Sequence, residues 1–563
     1  MRRAEPLLVL LGYAAASLLL LGRHLLRAPE DAVVGSFGAD QGFFAWSFVH
    51  WVEALAGNQA PFLTDRIDAP VGFNLAWATT LPGPAILLAP LTALAGPLVT
   101  YNALALAAPA LAAWTAYLLC RRLTGDPIAA IVGGWAFGFS SYLLSQTLNH
   151  LNLALVAALP LIALVAIRLA EGSIGRTRGV LAMGGLIGLQ FLVFLEVAAT
   201  ATLLGTILLV ALLVLGPASS RRRIVAALPW YAAAYGVGLA IAAPLLVAAL
   251  ARSNPIDGRI RPDLYPLDLQ NLVVPTAITW IGGERLRGVS AEFAGNITEQ
   301  TGYVGVLLLA AAGAGAIRWR ARRWTWAVVA TVVAATVLAL GHRLAIGGEA
   351  HGTLPWDLVA RLPLIGLAIP SRIMVFAWLG LAVLLALLVA RRRPAEERPP
   401  AARLALAAAA LALLLPSPGA TWWRTELRTP PGIATGSATA AIPDDAVVLL
   451  LPYSFRGTGM HWQAIARMRY RQAGGYSAAA VPEAYARFPI VLGFYADRPP
   501  PDARRELLRF LAWSGTTWVL VDARRAGPWT GLLREAGGER SEVDGVIRFR
   551  FDPEVVRAQL AGA

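Results

Sequence analysis

The chain has 563 residues, of which 57% are hydrophobic and 15% charged, against roughly 25% charged residues in soluble domains, and this excludes an ordinary soluble fold. A formal charge of +14 would suit a nucleic-acid binder if the arginines formed one patch. They fall instead in short clusters between apolar runs, at Arg2-Arg3, Arg121-Arg122, Arg168 to Arg178, Arg221 to Arg223, Arg318 to Arg323 and Arg391 to Arg393, the punctuation of cytoplasmic loops in a multi-pass membrane protein.

Apolar segments approaching the roughly 20 residues of a helical span run from Leu7 to Leu21, Leu98 to Leu119, Ile128 to Leu144, Leu151 to Ala170, Val180 to Leu195, Ala198 to Leu215, Ile224 to Leu250, Gly302 to Ile317, Trp324 to Leu340, Ile373 to Val389 and Leu404 to Leu415. Threading them so that every arginine cluster lies inside gives about eleven spans, a cytoplasmic amino terminus and an extracytoplasmic carboxy terminus. The first segment is read as a retained anchor, not a cleaved signal peptide. Leu81 to Ala95 carries Pro82, Pro84 and Pro90 and is read as interfacial or re-entrant. The single Cys120 lies at an inner helix end, so no disulfide staples the outer parts. The absence of lysine beside abundant Ala, Gly, Pro and Arg suits a high-GC bacterial genome.

This threading places loops 27–97, 251–301 and 342–372 outside, with the tail after Pro416. In the first loop Phe44, Phe48, Trp51 and Leu55 recur on one helical stripe and Ser47, His50, Glu53 and Gly57 on another, which predicts an amphipathic helix along the membrane surface beginning after Asp40. In the tail, Ala446 to Leu451, Thr517 to Val521 and Val546 to Phe551 read as strands and Arg504 to Trp513 as a helix. The expected division is a membrane domain over 1–417 and an extracytoplasmic α/β domain over 418–563.

The first span, an outer loop with an early acid and amphipathic helix, the many later spans and the outer domain together resemble the C superfamily of membrane glycosyltransferases (GT-C). The local patterns that carry this are Asp40-Gln41, Tyr101-Asn102, Arg121-Arg122-Leu123-Thr124-Gly125, Asn149-His150-Leu151-Asn152, Gly295-Asn296 to Gly305 and Pro370-Ser371-Arg372, and their order counts for more than any one of them. The resemblance implies a polyprenyl-phosphate-linked sugar donor and a first-loop carboxylate as general base, which by position is Asp40. Gln41 stands where many relatives carry a second acid. Glu53, Asp65 and Asp68 are substitutes, and a divalent metal has no assignable ligand set.

An acid before a helix can equally serve as its N-cap, so Asp40 has two readings. Arg372, at an outer span mouth, is the expected phosphate clamp, because charge develops on the leaving phosphate, or else an arginine snorkelling to the interface. Arg252, Arg259, Arg261 and Arg285 are alternatives. His150 either binds donor phosphate or makes a capping or interhelical bond. Glu196 interrupts a long apolar stretch at an outer turn. Asn296, Glu299 and Tyr303 recur at helix-face spacing and would share a cavity with Gln41 and Glu196. Tyr453, His461, Trp462, Tyr470 and Tyr476, with Gly474-Gly475, form either a sugar-binding aromatic surface or core.

These readings converge on an inverting hexosyl- or pentosyltransferase of the bacterial plasma membrane, moving a sugar from a lipid-linked donor to an envelope glycan or glycolipid, without nucleic acid. The outer domain is expected to bind or dock the acceptor. A lipid-linked saccharide transporter or flippase, and a non-enzymatic envelope assembly or sensor protein, are the rivals.

Overall fold

The computed structural model describes residues 4–26, 32–36, 38–251, 265–282, 285–362, 364–391, 401–417, 422–476 and 481–562. Most of each expected span falls on helix, although the one expected from Gly302 begins at Val306, and among the described residues seven helices, against about eleven expected, are long and apolar enough to cross a membrane: Glu5–Gly22, Pro97–Thr124, Pro127–Gln146, Leu151–Ala170, Leu195–Leu215, Ala218–Ala251 and Pro370–Val389. Val306–Arg318, Arg323–Ala339 and Ala401–Ala412 are apolar but shorter. The proline-rich stretch forms two short helices, Pro82–Leu87 and Ala89–Ala95, neither long enough to span.

The chain forms two compact units, 1–27 with 103–243 and 261–424, and 28–102 with 244–260 and 425–563. This differs from the division at residue 417, because residues 28–102 group with the tail and not with the rest of 1–417.

In the first unit, Met374–Val389 is apolar all round and buried along its length, as a helix without a polar face must be. It packs on Pro127–Gly138, Val306–Arg318 and Arg323–Ala339. Small residues let these backbones close up: a Cβ at Gly315 would run into the Leu384 carbonyl. We expect Gly315→Val to force the two helices apart at about 1–3 kcal/mol or more. The expected result is loss of the monodisperse peak in size-exclusion chromatography, and a wild-type elution profile would show that the contact is dispensable. At the amino-terminal end of Pro127–Gly138, Asp126 caps the helix through the amides of Ile128 and Ala129 and pairs with Arg391 at 2.9 Å.

In the second unit a five-stranded sheet runs β1 (Val447–Leu451), β2 (Arg471–Gln472), β3 (Thr516–Asp522), β4 (Glu539–Val543) and β5 (Val546–Arg550), in spatial order β4-β5-β3-β1-β2. The β1 strand is parallel to both neighbours and the β4-β5 hairpin is antiparallel. Burial on both faces explains why β1 reads as an unbroken apolar run. Helix Ala503–Ser514 buries Leu507, Leu508, Phe510 and Leu511, the stripe its spacing predicts.

Residues 66–69 finish this sheet. Gln472 donates its amide to Arg66, the carbonyls of Gln472 and Gly474 accept from Ala69 and Asp68, and the outer edge of β2 is thereby satisfied. Helix Ala39–Leu55 packs on Gly459–Ile465 and on the two proline-rich helices.

That helix corrects the expectation of a membrane-surface element, since residues 41–51 are buried on both stripes. Two side chains of its polar stripe find protein partners: Ser47 bonds the Thr80 carbonyl and His50 Nε2 lies 3.1 Å from the Pro61 carbonyl.

Candidate functional site

The candidate residues form two clusters, one within each unit. In the second unit, Gly38 occupies the N-cap of Ala39–Leu55 and Asp40 lies in its first turn, so the capping reading of Asp40 gives way. Its Oδ1 accepts a hydrogen bond from the Tyr476 hydroxyl at 2.8 Å. Gln41 is fully buried and faces Tyr101, whose own hydroxyl donates to the Val34 carbonyl at 2.8 Å. Glu53 and Asp65 have other partners, Asn58 and Arg66, and Asp68 is buried at a loop bend with φ 53°.

The chain reaches Tyr476 through Gly474 and Gly475, at φ +121° and +150°, a conformation L-residues rarely adopt. A Cβ on Gly474 would strike the Tyr453 ring and one on Gly475 would press on Ile67, so this turn needs glycine twice. Tyr476 sits edge-on to Phe43, ring centroids 6.4 Å apart. It also lines a small cavity beyond the carboxyl ends of β1 and β2, with Tyr453, Ser454 and Gln472, where parallel sheets commonly receive ligands. Burial first, and the Asp40 charge second, push the Tyr476 hydroxyl far above the usual phenol range, so it stays a donor. The other members of the expected aromatic surface, Tyr453, His461, Trp462 and Tyr470, are core residues at 1–3% exposure.

His50 and His461 are both buried, and burial pulls each imidazole down to about 4 from 6.5. Folded pKa values below the unfolded ones mean that the stability they contribute is complete above pH 6.5 and is lost as pH falls towards 4. Thermal midpoints at pH 7.5 and pH 5 are expected to differ less in His461→Phe than in the wild type. Equal pH dependence would refute the assignment.

In the first unit, Arg372 is held between two acids. Its Nε and Nη2 reach Glu299, the latter at 2.5 Å, and Nη1 reaches Glu196 Oε2 at 2.8 Å. Glu299 also accepts from Ser371 at 3.4 Å and Glu196 from the Ile369 amide at 3.2 Å. His150 Nδ1 donates to Gln146 Oε1 at 2.7 Å and lies 3.7 Å from Glu299. Burial opposes the Glu299 charge, but Arg372 beside it holds the carboxyl below its ordinary range. Burial pulls His150 down to about 4, so its ring is neutral. Arg372 is thus paired with two acids inside the protein, where the sequence alone suggests a single cation at a span mouth. Arg252, Arg259 and Arg261 lie outside the described residues, and Arg285 is exposed.

The expected shared face of Asn296, Glu299 and Tyr303 does not form. No helix covers 291–305, where glycines at 295, 302 and 305 disfavour one. Asn296 is exposed and turns back on Thr298, Tyr303 is buried in the helical core, and Glu299 alone joins Arg372. Among the described residues no three His, Cys, Asp or Glu side chains converge as a metal site.

A family model described as "Domain of unknown function (DUF6311)" matches residues 9–415. No curated protein matches in sequence. Among solved structures the chain is similar to the arabinofuranosyltransferase AftD from Mycobacteria, at 17% identity and TM-score 0.54, covering 96% of this chain and 39% of that one. A mutant form of AftD, R1389S, gives TM-score 0.56 at 17% identity over 96% and 41%. ArnT from Cupriavidus metallidurans aligns over 98% of both chains at 14% identity and TM-score 0.48. The chain thus spans about two fifths of the AftD chain, and what the likeness establishes is the fold, that of GT-C membrane enzymes.

Proposed function

Because the chain belongs to the family described as a domain of unknown function, DUF6311, and has a GT-C membrane fold, we propose that it is a membrane glycosyltransferase using a polyprenyl-phosphate-linked sugar. The observation that carries this is Asp40, a carboxylate in the first turn of a buried outer-loop helix with one oxygen oriented by Tyr476. A fold shared with an arabinofuranosyltransferase supports the reaction class.

In this reading Asp40 takes the proton of an acceptor hydroxyl as its oxygen bonds to the anomeric carbon. The bond from that carbon to the phosphate oxygen breaks, and the lipid phosphate leaves with the electron pair. Attack opposite the leaving group inverts the anomeric configuration. Proton removal of this kind contributes about 10² to 10⁴ in rate. The acceptor is an envelope glycan or glycolipid and the reaction faces the outside of the bacterial plasma membrane, an orientation supported by arginine clusters on the opposite side.

The test is incubation of the purified protein in lipid nanodiscs with a panel of polyprenyl-phosphate sugars, reading donor hydrolysis and transfer. Turnover of one or more donors is the expected result. A uniformly negative panel, with labelled lipid-linked saccharide instead moved across sealed vesicles, would transfer the reading to a transporter.

A further inference from the structure

The Asp40–Tyr476 bond joins residues 436 positions apart, and the partner comes from the end of β2 in the carboxy-terminal domain. Three features hold Tyr476 in place. The Gly474-Gly475 turn admits no side chain, Phe43 meets the ring edge-on, and the ring packs against the cluster formed by Trp46, Ile67, Phe73 and Met460. This is the density of fixation that a group aiming another group requires. A carboxylate bonded through one oxygen to a rigid donor has its rotation set, and the direction of its second oxygen with it.

We propose that Tyr476 is a positioning residue for the Asp40 carboxylate, so that the carboxy-terminal domain is part of the reaction centre and not only a docking module. This rests on the reading of Asp40 as the base. A hydroxyl donating to the charged form of a carboxylate favours that form, so the acid limb of the rate reads the bond. Tyr101 also lies near Asp40 from helix Pro97–Thr124.

The experiment compares full-length wild type, Tyr476→Phe and Asp40→Asn in membranes with the donor identified above, measuring kcat and donor KM across pH at matched protein abundance. Tyr476→Phe is expected to lower kcat about tenfold, the scale of one hydrogen bond to a charged group. Donor KM is expected to stay within about twofold, and the acid limb of kcat to move up by about one pH unit. A kcat and acid limb matching wild type overturn the proposal. If Asp40→Asn is inactive while Tyr476→Phe is unchanged, only the positioning role fails; if Asp40→Asn keeps the wild-type rate, the base assignment fails and takes this proposal with it. Should Tyr476→Phe not accumulate, Tyr476→Gln, which retains a donor, is compared with Tyr476→Leu, and equal activity and acid limbs in the two overturn the role.

Discussion

Asp40→Asn is expected to abolish transfer, with kcat down by about 10² to 10⁴ and the protein as abundant and as heat-stable as the wild type. The substitution keeps the shape of the side chain and its ability to accept from Tyr476 while removing the basic oxygen. The N-cap of the helix is Gly38 and not Asp40, so the variant leaves the cap residue in place. Wild-type turnover in membranes would eliminate Asp40 as the base, and loss of folded protein would expose a structural role instead.

The second large effect is on stability. Arg372→Met removes the one cation from a network in which Glu299 is 3% and Glu196 12% exposed, leaving two carboxylates to share a poorly solvated site. Removing one partner of such a network costs about 3–5 kcal/mol, whereas replacing the whole network by well-packed neutral groups is often nearly neutral. We therefore expect a sharply lower thermal midpoint in detergent for Arg372→Met and a partial recovery when Glu196→Gln and Glu299→Gln are added. A single variant within about 2 °C of wild type would mean that the triad is not what holds these segments together.

Much of the membrane architecture was legible because its causes are local. Apolar length and arginine position are properties of a short window, and most of each expected span lies on helix. Strands β1 and β3 were legible as apolar runs. The sequence Glu539–Val543 has no such run and is a strand because Val546–Arg550 pairs with it across a tight hairpin. Non-local causes defeated the remaining readings. Residues 41–51 carry two stripes and still lie inside protein, where Ser47 of the polar one bonds Thr80 and His50 bonds Pro61. Residues 296, 299 and 303 have helical spacing without a helix. Asp40 could be singled out by its place in the loop, but its partner lies in another region of the chain and no window contains both. Arg372 was legible as a cation, but the two acids that the fold brings to it were not, since they lie 73 and 176 positions away.

The interleaving of the second unit sets a condition on how this protein is made. Trp46 donates to Gln463 at 2.6 Å, 417 residues later. At about 5–20 residues per second, the first outer loop emerges roughly 20–80 s before the segment that completes its core. Throughout that interval an aromatic-rich helix and the backbone of 66–69 have no sheet to join, and nearly all the membrane helices must be inserted before they do. A carboxy-terminal truncation would therefore leave the helix Ala39–Leu55 without the segments that bury it, and not merely remove a neighbouring domain.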